Sequence, residues 1–420
     1  MLRSLAARLA SGELDPVAHV QEVLERLAAD PFNAVVALDA DRALAEAARP
    51  RPGPLSGVPV GVKDLIDVAG LPTRCGSAVL ADAPPAAADA PVVAKLRAAG
   101  AIVVAKLHTH EFAYGPTGDV AATGPARNPH DPTRITGGSS SGSAAAVAAG
   151  YLPLALGTDT GASVRTPAAL CGVVGLKPRF GALPTDGVFP LSESCDHVGL
   201  LTPDVDSAAF AWEVFSGERP VPLGRLRVGV PVDEYWWAYD PVLEDAAAIA
   251  VAQLRDDGAQ VVRLRTPMIE ELAATYTTIV GSEAYATHRR WLAAHPDDYQ
   301  PATRARLAPF ADLKATSYIA AQRARRRLVA ELARACADVD VLVLPTTQLR
   351  ATPIGAEVVD GHVVGTSLLA LTLPFNLAGW PAVSVPGPVS DGGLPAGVQV
   401  VGVRVDEHAV LQVAARITAR

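Results

Sequence analysis

Residues 136–167 constrain this chain most, because they set two serine-bearing turns around one short helix and one short strand. The first turn, residues 136–142, consists almost entirely of Gly and Ser, and the alanine-rich residues 143–149 favour a helix. The apolar residues 152–156 predict a short buried strand. A second glycine-containing turn then leads into a helix that is predicted to begin near Ser163.

Ser139 and Ser163 lie on these two turns. The second turn presents free backbone N–H groups at a helix start, which suits an oxygen nucleophile beside a pocket for developing negative charge. The alternative is a pair of flexible polar loops, which is what a single Gly/Ser loop usually is. Two such turns joined through a helix and a strand favour the nucleophilic site.

The same stretch resembles the amidase signature family, the serine amidases that use a Ser-Ser-Lys triad. Similarity to that family continues outside the two turns. It is carried by residues 57–64 (GVPVGVKD), 171–178 (CGVVGLKP), 196–199 (DHVG) and 374–379 (PFNLAG). Several motifs in the same order along nearly the whole chain are far more specific than any one of them.

The resemblance implies a catalytic role for Lys63, Ser139 and Ser163. Lys63 follows the apolar residues 58–62, so its stem is expected to be buried, although a strand-end lysine reaching solvent is the ordinary alternative. Burial disfavours the charged form and lowers the pKa of a lysine, so that its neutral amine can act as a base. By resemblance, Lys63 is the base, Ser139 is a bridging serine on a cis peptide bond, and Ser163 is the nucleophile.

The turn before Ser163 is expected to hold the oxyanion of the reaction. The predicted donors are the backbone N–H groups of Thr160, Gly161, Ala162 and Ser163. Two residues depart from the family pattern: Ala162 stands where many relatives have glycine, and Ser141 replaces a common glycine in the first turn. If the second turn requires a positive φ, alanine would be strained there.

Three functions compete. The first is a free-standing amidase that acts on a small or medium-sized amide, and the second is an amidotransferase subunit that passes ammonia from glutamine or a similar amide to a partner. Glutamine-using relatives place an arginine in an Ala-Gln-x-x-Arg context, and by this resemblance Arg325 is expected to face the substrate. The same relatives place an aspartate shortly before the Pro-x-Asn motif. Residues 368–373 (LLALTL) contain no carboxylate, which weakens the second function. A phosphate-binding module is the third, but no Gly-Lys-Ser/Thr ending accompanies the glycine-rich loop.

Other residues do not indicate a metal site, and no cofactor is expected. His108 and His110 are predicted to be ordinary polar positions at a strand end, because no further ligand set accompanies them. Asp196 and His197 could suggest a Ser-His-Asp triad with Ser163, but the resemblance implies a lysine base instead. The favoured role of this pair is support for the active-site loops.

The composition of the chain limits which binding partners and which cellular compartment are expected. The 420 residues carry a net charge of −8, which argues against a nucleic-acid groove, and no stretch is apolar for long enough to span a membrane. Four widely spaced cysteines are typical of reduced thiols in a cytoplasmic protein. The expected partner is a small-molecule amide, and a homodimer is left open.

Strand and helix patterns alternate in the second half of the chain, as in residues 226–232, 240–254 and 260–264. This alternation predicts an α/β sheet covered by helices on both faces. The resemblance implies a mixed, mostly parallel sheet in a single domain over residues 1–420.

Overall fold

The structure, a computed structural model, describes residues 1–266, 268–388 and 393–418. The strands are β1 Val35–Leu38, β2 Pro59–Lys63, β3 Ile102–Leu107, β4 Arg127–Asn128, β5 Asp131–Ile135, β6 Ala155–Thr158, β7 Val174–Lys177, β8 Val198–Thr202, β9 Arg227–Pro231, β10 Gln260–Leu264, β11 Val341–Pro345, β12 Val358–Val359, β13 His362–Val363, β14 Ala382–Pro386 and β15 Gly397–Gly402. The helices are α1 Leu2–Ala10, α2 Pro16–Ala28, α3 Ala40–Ala47, α4 Pro91–Ala98, α5 Ser141–Ala148, α6 Arg165–Cys171, α7 Val205–Ser216, α8 Pro241–Asp256, α9 Ile269–Ala294, α10 Pro301–Leu307, α11 Ala315–Ala335, α12 Val364–Ser367, α13 Leu373–Ala378 and α14 Glu407–Thr418.

Eleven of these strands form one sheet in the order β1-β3-β2-β6-β8-β7-β14-β15-β11-β9-β10. The mixed α/β architecture predicted from the sequence is confirmed. Its finer description as mostly parallel is not, because six of the ten pairings in the described chain are antiparallel. The parallel pairings lie in two groups, β3-β2-β6 and β11-β9-β10. In the centre, β7 and β8 are antiparallel and are joined by residues 178–197, which form no helix.

The sheet is buried on both faces. Successive residues of a strand point to opposite faces, and the two sides of β11 show this directly. Val341 and Val343 pack in one apolar core, which also contains residues of α1, α4, α7, α8 and α14. Leu342 and Leu344 pack in another core with residues of α9 and α11. Helices therefore cover both faces, as predicted.

The region around the two serine turns forms α5, β6 and α6 in that order. The predicted strand at 152–156 begins later, at Ala155, and the helix predicted near Ser163 begins at Arg165, so that Ser163 stays in the turn. Because β2 and β6 are parallel neighbours, Lys63 and Thr158 end their strands at the same edge of the sheet.

The strands of the sheet come from both halves of the chain, since β14 pairs with β7. A single domain over residues 1–420 remains a prediction. Part of it, residues 267, 389–392 and 419–420, lies outside the described residues.

Candidate active site

Lys63 and Ser139 are in direct contact inside the protein. The Lys63 Nζ donates hydrogen bonds of 2.7 Å to the Ser139 Oγ and 2.8 Å to the Thr158 Oγ1. Burial of the Lys63 side chain lowers its pKa to about 7, although the carboxylates of Asp159 and Asp196 oppose that shift. A substantial fraction of this amine is therefore neutral near neutral pH.

The loop that carries Ser139 is held by backbone hydrogen bonds. The peptide bond between Gly138 and Ser139 is cis, as the resemblance implied. The Ser139 carbonyl accepts from the His110 N–H at 3.1 Å, and the Ser140 N–H donates to the Ser163 carbonyl at 3.1 Å. This last bond brings the two serine turns together.

Ser163 reaches a cavity that Lys63 and Ser139 do not reach. Its side chain lines a cavity of about 560 Å³, whereas Lys63 and Ser139 are fully buried. Within the described part of the chain, the Ser163 hydroxyl has no hydrogen-bond partner. The direct hydroxyl contact between Ser139 and Ser163 that a proton relay requires is therefore not made here, and catalytic hydrogen bonds commonly tighten only when substrate is bound.

Asp159 shapes the turn before Ser163. Its carboxylate accepts hydrogen bonds from the N–H groups of Val164 and Arg165, from the Arg165 guanidinium and from the Asn376 amide. Burial alone would raise the pKa of Asp159, but Arg165 holds it below its ordinary value. Because this carboxylate engages the N–H groups of Val164 and Arg165, helix α6 begins after Ser163 and not at it.

The N–H groups of residues 160–163 have no acceptor among the residues that the structure describes. Thr160, Gly161 and Ser163 also line the cavity, so the turn can present donors to a negatively charged oxygen. Ala162 is buried and has no positive φ, so the strain that alanine would suffer in such a conformation is absent. Ser141 likewise fits, because it begins α5 and its hydroxyl contacts the His108 Nδ1 at 2.8 Å.

The cavity is mainly apolar. Its wall includes Leu191, Phe310 and Leu373, together with the aromatic rings of Tyr235 and Tyr276. The described lining holds one charged side chain, Arg306, and no carboxylate.

Arg325, the arginine indicated by the resemblance, is not part of the described cavity wall. It lies on α11, and its Nε donates to the Leu377 carbonyl at 2.9 Å. The basic residue that faces the cavity is therefore Arg306 on α10.

The histidines considered as metal ligands are engaged in hydrogen bonds. The His108 Nε2 lies 2.9 Å from the Gly124 carbonyl, and the His110 Nδ1 accepts from the Gly118 N–H. No cluster of three or more His, Cys, Asp or Glu suited to a metal occurs within residues 1–266, 268–388 and 393–418. Independence from metals remains a prediction.

Asp196 and His197 support the neighbouring loops. Asp196 accepts from the Thr160 hydroxyl at 2.5 Å and from the N–H groups of Leu191 and Ser192. The His197 Nδ1 lies 2.6 Å from the Cys195 carbonyl. Burial raises the pKa of Asp196 to about 7. Neither side chain has a hydrogen bond to Ser163 among the described contacts.

A buried lysine and two serine turns beside an apolar cavity, carried by a mixed α/β sheet, are suited to serine-type hydrolysis. The sequence profile of the family described as Amidase matches residues 18–411. The chain belongs to this family, and it is a hydrolase that acts on carbon–nitrogen bonds.

Individual relatives support this placement. The chain is 37% identical over 380 residues to AtzE, a 1-carboxybiuret hydrolase subunit of Pseudomonas sp. (strain ADP), covering 86% of this chain and 83% of that protein. It is 37% identical over 458 residues to the A-type subunit of the glutamyl-tRNA(Gln) amidotransferase of Symbiobacterium thermophilum (strain DSM 24528 / JCM 14929 / IAM 14863 / T), covering 96% and 93% respectively. A crystal structure of an amidase matches with a TM-score of 0.92 and 38% identity, over 100% of this chain and 99% of that one. No helix in the described chain is both long and apolar enough to cross a membrane.

Sequence reasoning missed several residues that contact the site. Thr158 binds the Lys63 amine, and Asp159 organises the second turn, although both lie inside the stretch that drew attention first. Their position within three residues of the end of the predicted strand at 152–156 was the available signal. Arg306 had no such signal, because only the folded chain brings α10 to the cavity.

Proposed function

We propose that the protein hydrolyses the C–N bond of a small-molecule carboxylic amide through an acyl-enzyme on Ser163. The arrangement around Ser163 carries the proposal. Its hydroxyl faces the cavity, next to a turn whose N–H groups have no other acceptor in the described chain. A backbone hydrogen bond joins this turn to the loop that holds Ser139 and, through it, Lys63.

In the first half of the reaction, Ser163 Oγ attacks the amide carbonyl carbon. The Ser163 proton passes to Ser139, whose own proton passes to the neutral Lys63 amine. The carbonyl oxygen becomes negatively charged, and the N–H groups of residues 160–163 stabilise it. The C–N bond then breaks as Ser139 gives a proton to the nitrogen and takes one back from the Lys63 ammonium. Ammonia or an amine leaves, an ester remains on Ser163, and Lys63 is neutral again.

In the second half, water replaces the amine. Lys63, acting through Ser139, removes a proton from the water while its oxygen attacks the ester carbon. The same N–H groups stabilise the second oxyanion. The bond to Ser163 breaks, its oxygen regains a proton, and the carboxylic acid is released.

The second candidate is the ammonia-supplying component of an amidotransferase, which the similarity to the glutamyl-tRNA(Gln) enzyme favours. A glutamine site needs a negative group to hold the substrate's ammonium, because an unpaired charge is costly to bury. The described cavity wall contains no carboxylate, so hydrolysis of another amide is the better-supported function. Rapid release of ammonia by the isolated chain would support independent hydrolysis, whereas release only in the presence of a partner protein would support the second candidate.

The test is covalent labelling by a fluorophosphonate followed by intact-mass measurement. The Ser163 oxygen forms a bond to phosphorus while fluoride leaves, which adds the phosphonyl mass. Ser163→Ala should lose both the adduct and the release of ammonia from an amide library. Ser139→Ala and Lys63→Met should lose nearly all turnover but label slowly, because both retain the Ser163 hydroxyl. Ser11→Ala, at an exposed position after α1, is the control and should behave like the wild type.

An adduct on the Ser163→Ala protein would assign the nucleophile elsewhere. Full turnover by Lys63→Met would contradict the proposed base. If the wild type is labelled but no amide in the library releases ammonia, hydrolysis of small amides is wrong.

A further inference from the structure

The charge on the cavity wall limits what the substrate can carry. Arg306 is the one charged side chain in the described lining, and the wall around it is largely apolar. An ammonium group entering this cavity would meet a like charge and find no carboxylate. A negatively charged group would instead find a guanidinium, whose planar N–H donors suit a carboxylate.

Arg306 has no ion-pair partner of its own among the described residues. One of its N–H groups donates to the Tyr114 carbonyl, and its guanidinium carbon lies 5.8 Å from the centre of the Tyr114 ring. These contacts orient the guanidinium without neutralising it. Its Nη2 lies next to Gly365, which also lines the cavity, and a methyl built on Gly365 would be 3.8 Å from that nitrogen. Donors of Arg306 therefore remain available on the cavity side.

The other end of the substrate, the scissile amide, would be bound by Ser163 and the turn before it. Tyr276 lies at this end of the cavity, close to Gly161. A methyl group built on Gly161 would be only 2.2 Å from the Tyr276 hydroxyl oxygen. Burial raises the pKa of Tyr276 well above its ordinary value, so this hydroxyl stays protonated and can donate. In the described structure it has no hydrogen-bond partner.

Resting on the proposed function, we infer that the substrate is an amide whose far end bears a carboxylate, which Arg306 binds while Ser163 attacks the amide carbon. An apolar segment joins the two groups and contacts the wall that includes Leu191 and Phe310. The monoamides of linear dicarboxylic acids have this chemistry. Arg306 is in this assignment a specificity-determining residue and takes no part in bond breaking.

The test measures binding and not turnover, so that it does not depend on the chemistry at Ser163. Isothermal titration of the full-length Ser163→Ala protein compares two ligand series of increasing chain length. One series is the monoamides of linear dicarboxylic acids, and the other is alkyl amides of matched length that end in a methyl group. We expect the best monoamide to bind at least about tenfold more tightly, the scale of one charge-assisted hydrogen bond. An ω-amino amide should bind more weakly than either.

Substitutions on α10 test whether Arg306 causes the preference for the monoamides. Arg306→Met, added to Ser163→Ala, should remove the preference for the monoamide while the alkyl amide still binds, and Arg306→Lys should retain part of it. Arg304→Met is the matched control, since Arg304 lies on the same helix, pairs with the exposed Asp297 and is absent from the cavity wall. It should leave the preference unchanged.

Equal binding of the two series, or a preference that survives Arg306→Met, would overturn the inference. If Arg306→Met does not fold, the comparison of the three ligand types on Ser163→Ala still shows whether the protein prefers an amide that bears a carboxylate. A failure of the proposed function can be distinguished from a failure of this inference. In that case the wild type would neither be labelled at Ser163 nor hydrolyse the alkyl amides. Equal binding of both series to Ser163→Ala, together with their hydrolysis by the wild type, would leave that function intact and remove only the carboxylate assignment.

Discussion

The backbone N–H of Ser140 donates a 3.1 Å hydrogen bond to the carbonyl oxygen of Ser163. This bond joins two turns that are more than twenty residues apart in the sequence, and it involves neither serine hydroxyl. The neighbouring residue Ser139 contacts the buried Lys63 amine, whereas Ser163 faces the cavity. The backbone therefore holds the turn of Ser163 beside the loop of Ser139, while the hydroxyl contact between the two serines is not made in the described structure.

The pH dependence of turnover should reflect Lys63. In the proposed mechanism the neutral form of Lys63 is the base, and its pKa is about 7 because the side chain is buried. Turnover should therefore fall as the pH drops below about 7, to roughly a tenth of its plateau one unit lower. The measurement is kcat against pH with an amide identified in the library.

Two other buried groups titrate in the same range and need controls. Burial raises the pKa of Asp196 to about 7 and lowers that of Lys177 to about 7. In both Asp196→Asn and Lys177→Met, kcat should still fall as the pH drops below about 7, even if the maximum kcat changes. Disappearance of this fall in either variant would assign it to that residue and not to Lys63.

Asp159 should matter for stability as well as for the shape of the turn. Asp159→Asn leaves the fully buried Arg165 without its counter-charge, which typically costs about 3–5 kcal/mol of unfolding free energy. Urea unfolding measures this loss. Asp297→Asn, which removes the exposed ion pair to Arg304, is the control and should change stability by less than about 0.5 kcal/mol.

The sign of the pH effect follows from the lowered pKa of Asp159. Its contribution is fully present above its unfolded pKa of about 4 and is lost as the pH falls through the lower folded value. The difference between wild type and Asp159→Asn should shrink on acidification below about pH 4. A difference that grows there would contradict the assignment.

Short motifs and the family resemblance indicated Lys63, Ser139 and Ser163, because each is tied to a motif with its own turn or strand end, and their catalytic roles remain predictions. Local sequence was not enough for Thr158, whose contact with Lys63 depends on β2 and β6 being parallel neighbours. It also placed the start of α6 too early, since the Asp159 carboxylate satisfies the N–H groups of the next residues.

The sequence pattern also did not predict how the strands of the sheet pair. The alternation of strands and helices predicted the α/β class correctly, but it carries no information on the direction in which distant strands pair. β7 and β14 are separated by about half of the chain and still pair side by side, antiparallel. Arg306 faces the cavity for a similar reason, since its helix is brought there by packing between distant elements.

Ala162→Gly should retain activity. Ala162 has no positive φ, so glycine relieves no strain, and the backbone N–H that would face the oxyanion is kept. We expect turnover within about tenfold of the wild type, or roughly 1.4 kcal/mol of barrier. Unfolding free energy should fall by about 1–2 kcal/mol, because a buried methyl is lost and the unfolded chain becomes more flexible. A larger loss of kcat would mean that the methyl group shapes the cavity.

Gly161→Ala should be the damaging change in the same turn. A methyl there would lie 2.2 Å from the Tyr276 hydroxyl oxygen, 2.7 Å from its Cζ and 2.9 Å from the Leu369 Cδ1. Such overpacking typically costs about 1–3 kcal/mol, and here the atoms that must move line the cavity beside Ser163. We expect kcat/KM to fall by about ten- to a hundredfold, since the N–H donors or Tyr276 must shift from their positions.

A double-mutant cycle tests whether the contact with Tyr276 is the cause. Tyr276→Leu removes the two nearest atoms, so Gly161→Ala should cost clearly less in that background than in the wild type. Gly224→Ala is the matched control, because a methyl at this exposed glycine meets nothing within 4 Å and its φ is not positive. It should leave kcat/KM unchanged. Equal losses from Gly161→Ala in both backgrounds would show that the glycine is needed for the turn itself and not for the space that Tyr276 occupies.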